Sequence, residues 1–151
     1  MASIELVVPP RRDYLALVRA VAAAAASVED PLPGARLDDL RLAVSEAFAN
    51  AVEAVDALDA DRDRVTRAGQ PIQVHCEVEG DEVTVTVEDQ GGGFDPEGLA
   101  ALPPAGDPRR LGHERGLGLP IMRSVASELS FEPAADGTRV RIRIDRGLHR
   151  T

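Results

Sequence analysis

The sequence predicts an α+β fold, a two-layer α/β sandwich with helices on one face of a mixed, mainly antiparallel sheet. Two segments place apolar residues at three- and four-residue steps, as amphipathic helices do. Two later segments alternate apolar and polar residues, as half-buried strands do. A chain of 151 residues is long enough for one domain with a core and too short for two ordinary ones. We therefore expect a single domain over residues 1–151.

The first part of the chain predicts one strand and two helices. The strand is Ile4–Val8, and the first helix extends from Asp13 to about Val28. High helix propensity explains the alanine run Ala22–Ala26 within that helix. The predicted apolar side of the first helix consists of Tyr14, Leu15, Leu17, Val18 and Val21. A second helix is expected from Leu37 to about Leu58, and its core-facing stripe consists of Leu37, Leu40, Val44, Phe48, Ala51, Val55 and Leu58.

The rest of the chain predicts three strands, two connections and a third helix. The strands are Ile72–Val78, Val83–Glu88 and Arg139–Ile144, the last alternating arginine with apolar residues so that one face is buried and the other solvated. The polar segment 59–70 is predicted to be a loop. The region 94–115 is rich in Pro, Gly and Ala, and a connection of this length is usually a functional lid or a disordered segment. A helix is expected from about Gly118 to near Leu129.

Composition excludes several function classes. The formal net charge of −9 argues against nucleic acid or an anionic membrane as a partner, because both require a basic surface. Cys76 is the single cysteine, which excludes a disulfide framework and a thiolate metal site. No apolar run is long enough to span a membrane, and the first residues lack a signal-peptide pattern. We therefore expect a reduced, cytoplasmic protein.

The absence of lysine narrows the ways in which this chain can bind a nucleotide. All 17 lysine or arginine positions are arginine. A P-loop requires a lysine that reaches the phosphates, and a eukaryotic-type protein kinase requires a lysine on a strand. Both types of site are therefore excluded. Any phosphate contacts must come from magnesium, backbone amides, helix dipoles or arginine.

Glu46 and Asn50 form the first of four short motifs with chemical content. They lie four positions apart in the second predicted helix, so their side chains share one face. An asparagine oxygen is a suitable magnesium ligand, since this ion prefers few protein ligands together with waters and phosphates. The glutamate can polarise a hydroxyl or a water for in-line attack on a γ-phosphate. In isolation, the same pair is also typical of an ordinary solvated helix face.

The second motif follows an alternating strand. Asp89 ends that strand, and Gly91 and Gly93 follow at once. A carboxylate at this position can accept a hydrogen bond from the exocyclic amino group of adenine, which guanine replaces with a carbonyl. The glycines leave room for a flat base to approach the backbone. A glycine-rich turn with no ligand is the simpler interpretation of this motif alone.

The third and fourth motifs are also rich in glycine. The third lies directly before a predicted helix, where free amides and the helix dipole favour an anion, and Arg115 precedes it. Its residues are Gly116, Leu117, Gly118 and Leu119. The fourth, Gly137-Thr138, leads into the last strand and alone predicts no more than a hairpin turn.

In this order, the four motifs resemble the N, G1, G2 and G3 boxes of the GHKL ATPase superfamily, whose members share the Bergerat ATP-binding fold. The segments Ala43–Ala51 and Gly116–Met122, and the short chain, are most similar to bacterial anti-sigma-factor serine/threonine kinases. The resemblance covers about residues 37–145. Members often place a basic or histidine residue shortly after the N-box asparagine, whereas this chain has Glu53, Ala54 and Val55 there.

The resemblance implies a set of site residues. Glu46 is the expected catalytic base, and Asn50 is the expected magnesium ligand. Asp89 and Thr138 are expected to hold the adenine end of ATP, and the glycines to form the lid hinges. The other expected nucleotide-binding residues are Gly91, Gly93, Arg115, Gly116, Leu117, Gly118 and Leu119.

The resemblance also implies a function. It implies an ATP- and magnesium-dependent protein serine/threonine kinase that acts as an anti-sigma factor. Such a protein phosphorylates a STAS-domain anti-anti-sigma factor and sequesters a sigma factor, and the sequence leaves open whether it forms a homodimer.

Two alternatives remain. The first is a nucleotide-gated regulatory binding module without kinase activity, against which the retained Glu46 argues. The second is a detached histidine-kinase-like ATPase domain, a kind of enzyme that requires a phosphoacceptor histidine on a dimerisation helix. None of His75, His113 and His149 is predicted to lie on such a helix.

Overall fold

A computed structural model describes residues 1–59, 70–90, 118–134 and 137–147. Its helices are a 3-10 turn (Arg12–Tyr14), α1 (Leu15–Ala25), α2 (Gly34–Asp59) and α3 (Gly118–Val125). Its strands are β1 (Ala2–Val8), β2 (Ile72–Glu79), β3 (Glu82–Asp89), β4 (Glu128–Ala134) and β5 (Gly137–Asp145). No helix within these ranges is both long enough and apolar enough to cross a bilayer. Residues 60–69 of the predicted loop and the whole predicted lid lie outside the described residues.

The five strands form one sheet in the order β1-β2-β3-β5-β4. Every pairing among these described strands is antiparallel. The predicted α+β architecture is therefore confirmed, and the sheet is antiparallel where the sequence also allowed a mixed one. A two-residue turn joins β2 to β3, and its Gly80 has a φ of +57°, a left-handed conformation that costs glycine little.

The core lies between the helices and one face of the sheet. The strand register aligns Cys76, Val85 and Ile142 across the three central strands, and each is at most 1% exposed. Burial raises the pKa of the Cys76 thiol to about 11, so this side chain stays protonated at neutral pH and packs as a small apolar group. The predicted α2 stripe is confirmed at its buried members, which are Leu40, Val44, Phe48, Ala51 and Val55.

The opposite face of the sheet is charged. Arg139 of β5 pairs with Glu88 of β3 at 3.1 Å and with Glu132 of β4 at 3.4 Å. Arg143 pairs with Glu128 at 2.8 Å. The alternation of arginine with apolar residues in the last strand therefore separates a solvated face from a buried one, as the sequence predicts.

The first helix differs from the prediction in its length and in its buried face. It ends at Ala25, and a 3-10 turn precedes it. Leu17, predicted on the apolar side, is 45% exposed. The buried residues of this segment include four of the five alanines in the run, namely Ala22, Ala23, Ala25 and Ala26. The alanines therefore pack in the core as well as favouring the helix, because small side chains let α1 lie close to its neighbours.

The predicted third helix was too long, and β4 was not predicted. α3 ends at Val125, and Leu129 lies in β4 opposite Ile142. Arg36 donates a hydrogen bond of 2.9 Å to the Val125 carbonyl, which satisfies one of the free carbonyls at the end of the helix. β4 is an edge strand, and an edge position tolerates Pro133.

Candidate nucleotide-binding site

α2 places Glu46 and Asn50 at one border of the core. Both side chains are partly exposed, whereas their neighbours Ala47, Phe48 and Ala51 are at most 3% exposed. Four positions correspond to about one helical turn, so the carboxylate and the amide lie one above the other. The two groups predicted to act together are thus adjacent and accessible on the same side of α2.

The ends of β3 and β5 bring Asp89 and Thr138 together. These residues are 49 positions apart in the sequence, yet they are direct partners in the β3–β5 pairing. Asp89 is 5% exposed and Thr138 is 4% exposed. A carboxylate and a hydroxyl buried side by side need polar partners, and a base with an exocyclic amino group can supply one. The structure therefore brings together two residues that belong to separate sequence motifs.

Gly137 fixes the position of this strand end. A Cβ atom built on Gly137 would lie 1.9 Å from the carbonyl oxygen of Asp89 and 2.7 Å from the Cα of Gln90. Both atoms belong to the backbone, so they can move only if the end of β3 moves. The sequence predicted Gly137 only as a turn residue, but its lack of a side chain allows the close approach of β5 to the Asp89 backbone.

The charged face of the sheet supports the same strand ends. Arg139 follows Thr138, and Glu88 precedes Asp89. Arg139 donates hydrogen bonds from Nε and Nη2 to Glu88 at 3.2 and 3.1 Å. Hydrogen bonding to Glu88 is the largest cause that raises the pKa of Arg139 above its ordinary value, followed by the charge of Glu88. Both donors bond Oε2 of Glu88, and this ion pair bridges β3 and β5 next to the buried Asp89 and Thr138.

The glycine-rich motif before α3 is only partly described. Gly118 begins α3, and Leu119 is 4% exposed and packs in the core. Any role of Leu119 toward a phosphate must therefore use its backbone amide, since the first amides of a helix lack partners within the helix. The other predicted residues of the site lie outside the described residues, and they are Gly91, Gly93, Arg115, Gly116 and Leu117.

An ion pair that the sequence did not predict joins α2 to the 3-10 turn. Glu53 lies three positions after Asn50, and its Oε1 accepts a hydrogen bond of 2.8 Å from Nη2 of Arg12 in the 3-10 turn. The two residues are 41 positions apart, so no local pattern could predict the contact. The structure thus places the Arg12 guanidinium beside Glu53, in a segment whose own residues Glu53, Ala54 and Val55 include no basic one.

Two surface depressions lie away from these residues. One, of about 490 Å³, lies along α1 and is lined by alanines together with Arg19 and Arg41. The other, of about 430 Å³, lies on the charged face of the sheet around Arg141. Neither is lined by Glu46 or Asp89, so these two depressions are separate from the candidate site residues.

A comparison against known families gives a match over most of the chain. The sequence model of the histidine kinase-like ATPase domain matches residues 8–144. The chain belongs to this family of GHKL-type domains. Members of the family bind ATP, usually with Mg²⁺. A search of curated proteins finds no match for this chain.

The described residues fit a magnesium–ATP ligand. The buried carboxylate of Asp89 is an acceptor suited to the amino group of adenine, and the amide oxygen of Asn50 is a hard ligand suited to Mg²⁺. Within the described ranges, no group of three or more His, Cys, Asp or Glu side chains is placed to hold a metal ion. A magnesium ion bound at Asn50 would therefore take most of its ligands from phosphates and water.

Proposed function

We propose that the protein is an ATP- and magnesium-dependent protein serine/threonine kinase that acts as an anti-sigma factor. Its substrate is a STAS-type anti-anti-sigma partner, and it sequesters a sigma factor. The observation that carries the proposal is the adjacency of Glu46 and Asn50 on the accessible border of α2, within a chain of the histidine kinase-like ATPase family.

The two α2 residues have separate roles in phosphoryl transfer. Asn50 would hold the magnesium ion, which would supply positive charge at the phosphate oxygens. Glu46 accepts the proton of the serine or threonine hydroxyl as its oxygen forms a bond to the γ-phosphorus. The bond from that phosphorus to the bridging oxygen of ADP breaks in the same transfer.

The strand ends select the base. The Asp89 carboxylate accepts a hydrogen bond from the amino group of adenine, and the adjacent Thr138 hydroxyl offers a second polar contact. Guanine would direct a carbonyl oxygen at Asp89, which leaves a buried carboxylate without its donor. The nucleotide is therefore ATP and not GTP.

The retained pair on α2 favours catalysis over binding alone. A module that only senses nucleotide needs the adenine contacts and a magnesium ligand, and it has no use for a base beside them. Glu46 is one turn from Asn50 and is partly exposed, which is the accessibility a base needs. Among the described residues, the single histidine is His75, which lies in β2 and hydrogen-bonds Ser3, so a histidine-kinase reaction in cis has no helical acceptor there.

The test is phosphoryl transfer with and without Glu46. The purified protein is incubated with γ-labelled MgATP and STAS-domain proteins from its own cell, and the acceptor residue is located by mass spectrometry. Glu46→Ala is expected to lower the transfer rate by about 10²–10⁴ without weakening MgATP binding, because a base acts on the nucleophile.

The matched control is Asp38→Ala, which removes an exposed carboxylate from the first half of the same helix. It should transfer phosphate at the wild-type rate. A wild-type protein that binds MgATP and its protein partners without transferring phosphate would support the binding module instead.

A further inference from the structure

We propose that Arg12 is a positioning residue that neutralises Glu53, so that α2 can accept an anionic polyphosphate next to Asn50. This inference rests on the proposed nucleotide site. It assigns a role to a residue of the N-terminal segment that none of the four motifs includes.

Three polar residues form one stripe on α2. Glu46, Asn50 and Glu53 are spaced by four and then three positions, and all three are partly exposed. Residues at this spacing are neighbours on a helix surface, with Cβ atoms roughly 5–6 Å apart. Because Arg12 bonds Glu53 at 2.8 Å, its guanidinium is held at the Glu53 end of this stripe.

The stripe needs a positive charge if a polyphosphate is to bind there. Glu46 and Glu53 are both acidic residues, and the whole chain has a formal net charge of −9. A carboxylate one turn from the magnesium ligand repels the phosphates, and this repulsion is strong where the local dielectric is low. Arg12 cancels the charge of Glu53 while its other N–H groups remain directed at solvent or ligand.

A purely structural role explains the pair poorly. The Arg12 side chain is 64% exposed and that of Glu53 is 27% exposed, and exposed ion pairs usually contribute little to stability. Arg11 provides an internal comparison, because it is the adjacent residue and pairs with Asp13 at a similar exposure. Arg11 and Arg12 thus have equal charge and similar solvent contact, but only Arg12 bonds a residue of the α2 stripe.

The experiment is a titration of the full chain with MgATP and with adenosine, for wild type and four variants. The variants are Arg12→Ala, Arg11→Ala, Glu53→Gln and the double variant Arg12→Ala/Glu53→Gln. We expect Arg12→Ala to raise the Kd for MgATP about tenfold and to leave adenosine binding unchanged, since adenosine carries no phosphate. The loss should shrink as salt concentration rises. Arg11→Ala should change neither affinity.

The double variant decides how Arg12 acts. If Arg12 works by cancelling Glu53, the double variant should recover MgATP affinity to within about threefold of wild type, because the repelling carboxylate is gone. An Arg12→Ala variant that binds MgATP like wild type overturns the inference. A double variant as weak as Arg12→Ala also overturns it, because that result assigns Arg12 a direct phosphate contact.

The same data separate this inference from the proposed function. A wild-type protein that binds no MgATP overturns both. A wild-type protein that binds MgATP but transfers no phosphate overturns the kinase proposal, and the Arg12 inference is still decided by the binding data.

Discussion

Two arginines bond side chains of α2, Arg36 near its start and Arg12 of the 3-10 turn near its end, and they lie in opposite environments. Arg36, in the first turns, is completely buried and donates hydrogen bonds to four groups. Its acceptors are the carbonyls of Val125 and Asp145 and the side chains of Asp39 and Ser127, all at 2.7–2.9 Å. Arg12, which pairs with Glu53 in the second half of α2, is largely exposed.

The buried Arg36 holds the start of α2, which we call its fixed end, whereas the exposed Arg12–Glu53 pair lies near the candidate site residues. Arg36 ties the start of α2 to the end of α3 and to the end of β5, so three elements share one buried cation. A buried guanidinium is stable only when its donors are satisfied, which makes this cluster sensitive to any change. The stripe of Glu46, Asn50 and Glu53 is partly exposed and therefore accessible to a ligand.

The largest expected effect is at the fixed end. Arg36→Met should lower the free energy of unfolding by about 3–5 kcal/mol or prevent folding, because it removes the buried donor of four part-buried hydrogen bonds. Urea denaturation measures the loss. Arg41→Met on the same helix, where Arg41 is 39% exposed and pairs with Asp38, should cost less than about 1 kcal/mol. Equal losses for the two variants would contradict the comparison.

A smaller effect is expected at the strand end that carries Asp89. Gly137→Ala places a methyl group against the Asp89 backbone, and the resulting shift should cost about 1–3 kcal/mol of stability and weaken ATP binding. Gly34→Ala is the matched control, because nothing lies within 4 Å of its added Cβ. That variant should be as stable as wild type or slightly more so, since alanine favours a helix over glycine. An unchanged ATP affinity in Gly137→Ala would show that the close approach does not position Asp89.

Local periodicity explains what could be predicted from the sequence. Strict alternation located β3 and β5, and the three- and four-residue steps located α2 and put Glu46 and Asn50 on one face. β4 was missed although Glu128–Glu132 also alternates, because the helical pattern after Gly118 was extended through Leu129. Pro133 is tolerated within β4 because the strand is at the edge of the sheet.

Contacts between distant segments account for what could not be predicted. The pairing of Asp89 with Thr138 depends on strand register, and that of Arg12 with Glu53 depends on how the 3-10 turn packs beside α2. A side chain at position 137 would clash with the Asp89 backbone, and this constraint follows from the pairing of β3 with β5. The predicted lid and the glycines Gly91, Gly93 and Gly116 fall outside the described residues.

The most direct test of the nucleotide site is a calorimetric titration of the wild-type protein with MgATP and with MgGTP. The buried carboxylate of Asp89 should make ATP bind at least about tenfold more tightly, because losing one hydrogen bond to a charged group costs roughly 1.5–3 kcal/mol. Asp89→Asn should weaken ATP binding and lower the ratio of ATP affinity to GTP affinity. Glu88→Gln, which changes the neighbouring solvated carboxylate, should leave that ratio unchanged. Equal affinities of the wild-type protein for the two nucleotides would contradict the assignment of Asp89 to adenine.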